Sequence, residues 1–146
     1  MRAFVTGATG FIGGQLTREL VADGCNVRVL ARPGSDRRNL YDLNVEIWEG
    51  DLRDRDSLKA GVAGCDMLFH AAADYRLWTN KPSEMYEVNV AGTRNVLAAA
   101  LANRVSRVVY TSSVGTLGNP GDGTPGNEDT PVSFEDMVGD YKKSKF

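Results

Sequence analysis

The chain has 146 residues, 42% of them hydrophobic, enough for one domain with a core of its own. Its 17 basic and 19 acidic residues are mixed along the chain, for a formal net charge of −2. That pattern excludes a basic nucleic-acid stripe and a charged tail, and no apolar run approaches the roughly 20 residues that span a bilayer.

Residues 3–6 read as a short apolar strand running into glycines. A strand and a glycine turn thus stand where a signal peptide would, so the expectation is a soluble, cytoplasmic protein. Residues 11–22 read as a helix with Phe11, Ile12, Leu16, Leu20 and Val21 on one face, closed by Gly24. Residues 27–31 form a second strand, interrupted by Arg28. Pro33-Gly34 turns the chain, and Ser35 or Asp36 can cap a short helical segment. A third strand at 45–48 precedes a short helix that starts at Asp54 or Asp56 and ends near Gly64. Residues 67–71 form a fourth, nearly continuous apolar strand. A long helix follows over about 83–102, with Met85, Val88, Val96, Leu97 and Leu101 as its inward stripe. Residues 105–110 form a fifth strand rich in β-branched valine. Residues 117–131, rich in Gly, Pro, Asn and Asp, read as a long functional loop. A last helix begins near 134–138 and still runs at Phe146.

Alternating strands and helices with continuous apolar strands predict an α/β fold, a doubly wound parallel sheet covered on both faces. Residues 1–146 form one domain, expected to be incomplete at its C-terminus because the chain stops inside a helix. Cys25 and Cys65 have no CxxC partner and read as free thiols. With one histidine and no ligand-spaced cluster, no metal site is expected.

Thr6-Gly7-Ala8-Thr9-Gly10-Phe11-Ile12-Gly13 joins the first strand to the first helix. Gly7 permits the tight turn, Gly10 lets the backbone approach a pyrophosphate, and Gly13 allows close helix packing. The helix N-terminus offers free N–H groups to the phosphates, so Gly7, Thr9, Gly10, Phe11, Ile12 and Gly13 form the expected cradle of a dinucleotide-binding Rossmann fold. The second strand ends Val29-Leu30-Ala31-Arg32, without the acidic residue that bonds a ribose 2′-hydroxyl in NAD sites. Arg32 can pair with a 2′-phosphate, with Ser35 or Arg37 as helpers, which favours NADP. The alternative is a solvated Arg32 and an NAD site.

Read with Gly50-Asp51-Leu52, His70-Ala71-Ala72-Ala73, Asn89-Val90-Ala91-Gly92-Thr93, Thr111-Ser112-Ser113 and Tyr141-Lys142-Lys143-Ser144-Lys145, these residues resemble the extended short-chain dehydrogenase/reductases over the whole chain. Ala73-Asp74-Tyr75-Arg76-Leu77-Trp78, residues 33–40 and Gly139-Asp140-Tyr141-Lys142 are similar to the hopanoid-associated sugar epimerase group, close to dihydroflavonol 4-reductase-like enzymes. The resemblance implies that Asp51 accepts from the adenine amino group beside the Leu52 backbone. It implies that Ala71, Ala72 and Ala73 line the ribose and nicotinamide side. It implies that Asn89 ties the long helix to the sheet or to a water near the site. Asp51 as a plain turn residue, and Asn89 as a purely structural amide, are the bland alternatives.

Tyr141 and Lys145 lie four apart and share one helix face. A phenol is a poor base at neutral pH, and an ammonium one turn away favours its phenolate. Tyr141 is the expected acid/base and Lys145 its partner, also holding the nicotinamide ribose. Ser113 would hydrogen-bond the reacting oxygen, with Ser112 as its rival. His70 reads as a satisfied structural histidine. Tyr75, Arg76 and Trp78 could meet a sugar or other hydroxylated substrate, or merely pack at the surface.

The reading is an NAD(P)-dependent sugar epimerase or reductase acting at a hydroxyl or carbonyl carbon of a small molecule. A non-catalytic NADP-binding sensor of the same fold is the rival from another class, though such proteins commonly lack the Tyr or the Lys. Residues 1–146 alone are expected to turn over little and to expose a sheet edge. A homodimer is the expectation for the full-length protein.

Overall fold

In a computed structural model that describes residues 1–146, five strands form one parallel sheet: β1 (Arg2–Thr6), β2 (Asn26–Ala31), β3 (Val45–Glu49), β4 (Met67–His70) and β5 (Arg107–Tyr110). Their order is β3-β2-β1-β4-β5. The order reverses between β1 and β4, the switch point beside which doubly wound sheets bind ligands. In register, Thr6 pairs with Leu30 on one side and His70 on the other, and His70 pairs with Tyr110. The C-terminal ends of all five strands therefore share one edge of the sheet.

The helices are α1 (Phe11–Ala22), α2 (Arg55–Val62), α3 (Pro82–Tyr86), α4 (Thr93–Ala102) and α5 (Asp140–Lys145). Strand residues alternate between two cores. Phe4, Leu30 and Leu68 pack with Leu58, Val62, Val96 and Ala99 under α2 and α4. Ala3, Val5, Val27 and Val29 pack with Leu20 under α1. Each fully buried Val, Leu or Phe contributes about 1.5–3 kcal/mol. Arg28, the charge inside β2, is reconciled with burial by its partners. Its guanidinium donates to the Gly61 and Ala63 carbonyls at the end of α2, pairs with Glu46 and lies over the Trp48 ring.

The expected helix stops hold. Gly24 sits at φ 77° after α1; its N–H donates to Val21 O, and the Cys25 N–H donates to Leu20 O. Asp54 caps α2 by accepting from the Ser57 N–H at 2.9 Å. Residues 117–131 carry no regular element, as expected of the long loop.

Four expectations are corrected. Phe11 and Ile12 point outward, 88% and 59% exposed, and the buried face of α1 is Gly13, Gly14, Thr17 and Leu20. The first turn of α1 leans on the glycine turn at short range, so small residues face inward there. The long helix is not uniform: α3 passes through a π turn (Glu87–Gly92) into α4. Its inward stripe is Met85, Asn89, Gly92, Val96, Ala99 and Ala100, while Leu101 is 82% exposed. Gly92 belongs there because a Cβ would come within 2.9 Å of Leu52 Cβ. The fifth strand starts at Arg107 rather than at 105, and the last helix starts at Asp140. Residues 134–136 form only a 3-10 turn, closed by Ser133 and Asp136.

Candidate active site

Gly7 adopts φ 77°, and a Cβ there would lie 2.6 Å from the Ala72 nitrogen. A Cβ on Gly13 would lie 2.1 Å from the Gly7 carbonyl oxygen. Both glycines are therefore demanded by the chain's own packing, and Gly13 packs on the turn rather than on the sheet. Gly10 differs: its Cβ would meet only Gly7 O, at 3.3 Å. The space in front of Gly10 is open, and α1 starts there with no side-chain cap and no acidic residue in its first turn. Thr9, Phe11 and Ile12 stand around the same helix start. This arrangement fits a diphosphate: free N–H groups, a positive helix end and no side chain in the way.

Around it stand the other strand ends. Arg32, after β2, is exposed, and its guanidinium makes no hydrogen bond or ion pair within the chain. The two suggested helpers are engaged elsewhere: Ser35 Oγ donates to the Arg32 carbonyl, and Arg37 pairs with Glu49. Asn39 Nδ2 donates to Thr9 O at 3.0 Å and ties this segment to the glycine turn. Asp51, after β3, is half-buried and binds the Arg53 guanidinium and N–H, which hold its carboxyl below the usual range. Leu52 is buried, and its carbonyl accepts from Asn95. After β4, the half-buried Ala71 and Ala72 donate their N–H groups to Thr6, and Ala73 follows. Tyr75 and Trp78 beyond them are 78% and 80% exposed, and Arg76 pairs with Asp74.

Ser113 follows β5 and is half-buried, whereas Ser112 is exposed. Ser113 Oγ accepts from the Gly115 N–H at 3.1 Å. The turn Val114–Thr116 leans on α5, where a Cβ on Gly115 would meet Lys142 Cγ at 3.3 Å. Tyr141 is half-buried on α5, and its hydroxyl is hydrogen-bonded to neither Ser113 nor Lys145. Lys145 is 9% exposed. Its ammonium donates to Tyr110 Oη and to Thr111 O, each at 3.1 Å, and lies 4.7 Å from the Tyr110 ring centroid. No carboxylate pairs with it.

Two side chains hold this edge together. Asn89, 3% exposed, accepts from the Asp74 N–H at 2.7 Å and donates to Asp74 O and to Ser144 Oγ. Both its donors are taken by protein atoms, and it joins the loop after β4 to α5. His70 is 1% exposed, with Nδ1 2.6 Å from Thr6 Oγ1 and Nε2 2.9 Å from Thr93 Oγ1. Burial, and secondarily the Lys145 charge, pull its pKa down to about 4, so it is neutral at physiological pH. The structural reading of His70 fits these partners. Sequence reasoning missed Tyr110, Thr6, Thr93 and Ser144. The only sequence signals for them are that Thr6 and Tyr110 end their strands and that Ser144 adjoins Lys145.

No group of His, Cys, Asp and Glu could hold a metal ion, and no helix is long and apolar enough to cross a membrane.

Residues 3–146 match the family model described as NAD dependent epimerase/dehydratase. A Synechocystis protein named as a candidate dihydroflavonol 4-reductase is 45% identical over 143 residues, 98% of this chain and 41% of that protein. The crystal structure of gox2253 superposes with a TM-score of 0.91 at 49% identity, covering 98% of this chain and 43% of that one. The UDP-glucose 4-epimerase of Thermus thermophilus, solved in complex with NAD, gives a TM-score of 0.84 at 29% identity, covering 99% of this chain and 47% of that one. The chain thus spans less than half the length of each of these relatives.

Proposed function

The chain belongs to the NAD-dependent epimerase/dehydratase family, and from that premise we propose that it is the dinucleotide-binding part of an enzyme that oxidises or reduces a hydroxyl or carbonyl carbon of a small molecule. The observation that carries the reading is Lys145. It is a nearly buried ammonium at the C-terminal edge of the sheet with two of its three N–H groups used and no carboxylate beside it. Burying a lysine this way is costly unless it serves a purpose, and an ordered ligand hydroxyl or a developing phenolate is such a purpose.

Gly7, Thr9, Gly10, Phe11, Ile12 and Gly13 hold the diphosphate, Asp51 and Leu52 the adenine, and Ala71–Ala73 flank the nicotinamide side. A bound nicotinamide supplies the hydride acceptor or donor. Tyr141 takes the proton from the substrate hydroxyl, or returns it to the carbonyl oxygen. Lys145 holds a ribose hydroxyl. Ser113 donates to the reacting oxygen and stabilises its developing charge. The unpaired guanidinium of Arg32 supports NADP over NAD, since it suits a 2′-phosphate. The substrate is a sugar or another hydroxy or keto compound. Two unpaired thiols fit work in the reducing cytoplasm.

The test uses the intact protein with NADPH or NAD and a panel of nucleotide sugars and ketones. Tyr141→Phe should keep dinucleotide affinity and lose at least about 100-fold in turnover. Undiminished turnover would sink the assignment of Tyr141. Absence of turnover in the intact wild type, with affinity unchanged in the variant, would favour the sensor. Net NADPH oxidation at 340 nm identifies a reductase, and turnover without it an epimerase. Arg32→Asp should reverse the ratio of NADPH to NAD affinity.

A further inference from the structure

The position of the Lys145 ammonium is set by what it touches. It donates to two neutral groups, the Tyr110 phenol oxygen and the Thr111 carbonyl, each at 3.1 Å, and of the two only the phenol is a side chain. Tyr110 is itself held from behind, stacked on His70 with ring centroids 5.3 Å apart and planes 19° apart. Thr6 on β1 and Thr93 on α4 grip both nitrogens of His70. Thr6, His70 and Tyr110 form one row across β1, β4 and β5. The row ends on the ammonium.

We propose that Tyr110 is the positioning residue of Lys145, fixing the ammonium through its phenol oxygen so that the third N–H is presented to the dinucleotide cleft. This rests on the reading of Lys145 as a cofactor-holding residue. A phenol oxygen accepts from a cation without neutralising it. A carboxylate in the same place would neutralise the charge and compete for the third N–H. A neutral His70 suits the arrangement, because an imidazolium stacked on Tyr110 would repel the ammonium. Tyr110 thus holds the ammonium without placing a counter-charge beside it.

The experiment measures dissociation constants for NADPH and for NAD in the intact protein. It compares wild type, Tyr110→Phe, Tyr110→Leu, Lys145→Met and the Tyr110→Leu/Lys145→Met pair. Lys145→Met should weaken binding about tenfold, as expected for loss of a charged hydrogen bond. Tyr110→Leu should weaken it at least about fivefold in the lysine background and less than about twofold in the methionine background, the non-additivity of residues acting through one group. Tyr110→Phe, which removes only the phenol oxygen, should show most of the same loss. Equal losses from Tyr110→Leu in both backgrounds, or none in either, would overturn the proposal while leaving Lys145 in its role. Unchanged affinity in Lys145→Met would overturn the underlying reading and the proposal with it. If the leucine variant fails to fold, Tyr110→Phe is measured in both backgrounds and should again lose affinity only where Lys145 is present.

Discussion

Asn89 Nδ2 donates to Ser144 Oγ at 2.9 Å and so joins the π turn of the long helix to the short helix carrying Tyr141 and Lys145. Ser144 in turn donates to the Tyr141 carbonyl at 2.8 Å. The other half of the Asn89 amide grips the backbone of Asp74, beyond β4. One buried side chain thereby sets the distance between two walls of the cleft. π turns recur at functional sites, and this one carries the tying amide. Asn89→Ala should destabilise the protein by about 2–4 kcal/mol, since it removes three hydrogen bonds and strands buried partners. Ser144→Ala removes one of the three together with the bond to the Tyr141 carbonyl and should cost about 1–2 kcal/mol. Urea melts of the two variants check this. An equal or smaller loss for Asn89→Ala would remove it from this role.

The three glycines of the first turn should answer differently to alanine. Gly7→Ala and Gly13→Ala each drive a Cβ to within 2.6 Å and 2.1 Å of backbone atoms, and Gly7 also sits at φ 77°. Backbone cannot yield as a side chain can, so both should lose at least about 3 kcal/mol of stability. Gly10 sits at φ −87° and ψ 178°, which any residue adopts, and its Cβ meets only one atom at 3.3 Å. Gly10→Ala should therefore fold within about 1 kcal/mol of wild type. It should nevertheless bind dinucleotide at least about tenfold more weakly, because on the proposed reading the new methyl enters the space assigned to the diphosphate. Thermal melts beside dinucleotide titrations separate the two behaviours.

The architecture is legible where the chemistry is local and repetitive. Apolar strands, punctuating glycines and the Tyr-x-x-x-Lys spacing each report a short-range constraint, and Gly24, Asp54 and the glycine turn do in the fold what their residue types imply. Reading inward faces from large apolar residues fails at α1 and α4, because close packing there selects Gly13, Gly92, Ala99 and Ala100 and pushes Phe11 and Leu101 out. The row of Thr6, His70 and Tyr110 is invisible in sequence, since it depends on the register of three strands separated by about 64 and 40 residues. The grip of Tyr110 on Lys145 depends in turn on that row.

His70 gives the protein a calculable response to acid. Its folded pKa, about 4, lies below the ordinary 6.5, so the unfolded chain binds the proton more readily. Stability from this group is complete above about pH 6.5, falls as pH drops toward 4 and levels off below that. The full difference is of order 3 kcal/mol. His70→Gln removes the titration, and the difference in urea-melt stability between wild type and variant should flatten above pH 6.5 and slope below it. A pH-independent difference between pH 4 and 7 would show that the imidazole is not held neutral.

Arg104 is the one non-glycine residue at positive φ, 54°, and it closes α4 as Gly24 closes α1. The Arg104 N–H donates to Leu101 O and the Val105 N–H to Ala100 O, so the turn is the same C-terminal motif with the wrong residue in its left-handed position. Arginine is strained there by about 1 kcal/mol, whereas glycine is not. Its side chain is exposed and makes no hydrogen bond or ion pair, so nothing offsets the strain. Glycine also loosens the unfolded chain, which cancels part of the gain. Arg104→Gly should still stabilise the protein by about 0.5 kcal/mol, and Arg104→Val should destabilise it by about 1 kcal/mol or more, because a β-branched residue tolerates positive φ worst. Thermal melts of the pair beside wild type should rank glycine, arginine, valine in falling order. Valine melting level with arginine would mean that the turn relaxes out of the left-handed region and that the strain assigned to Arg104 is absent.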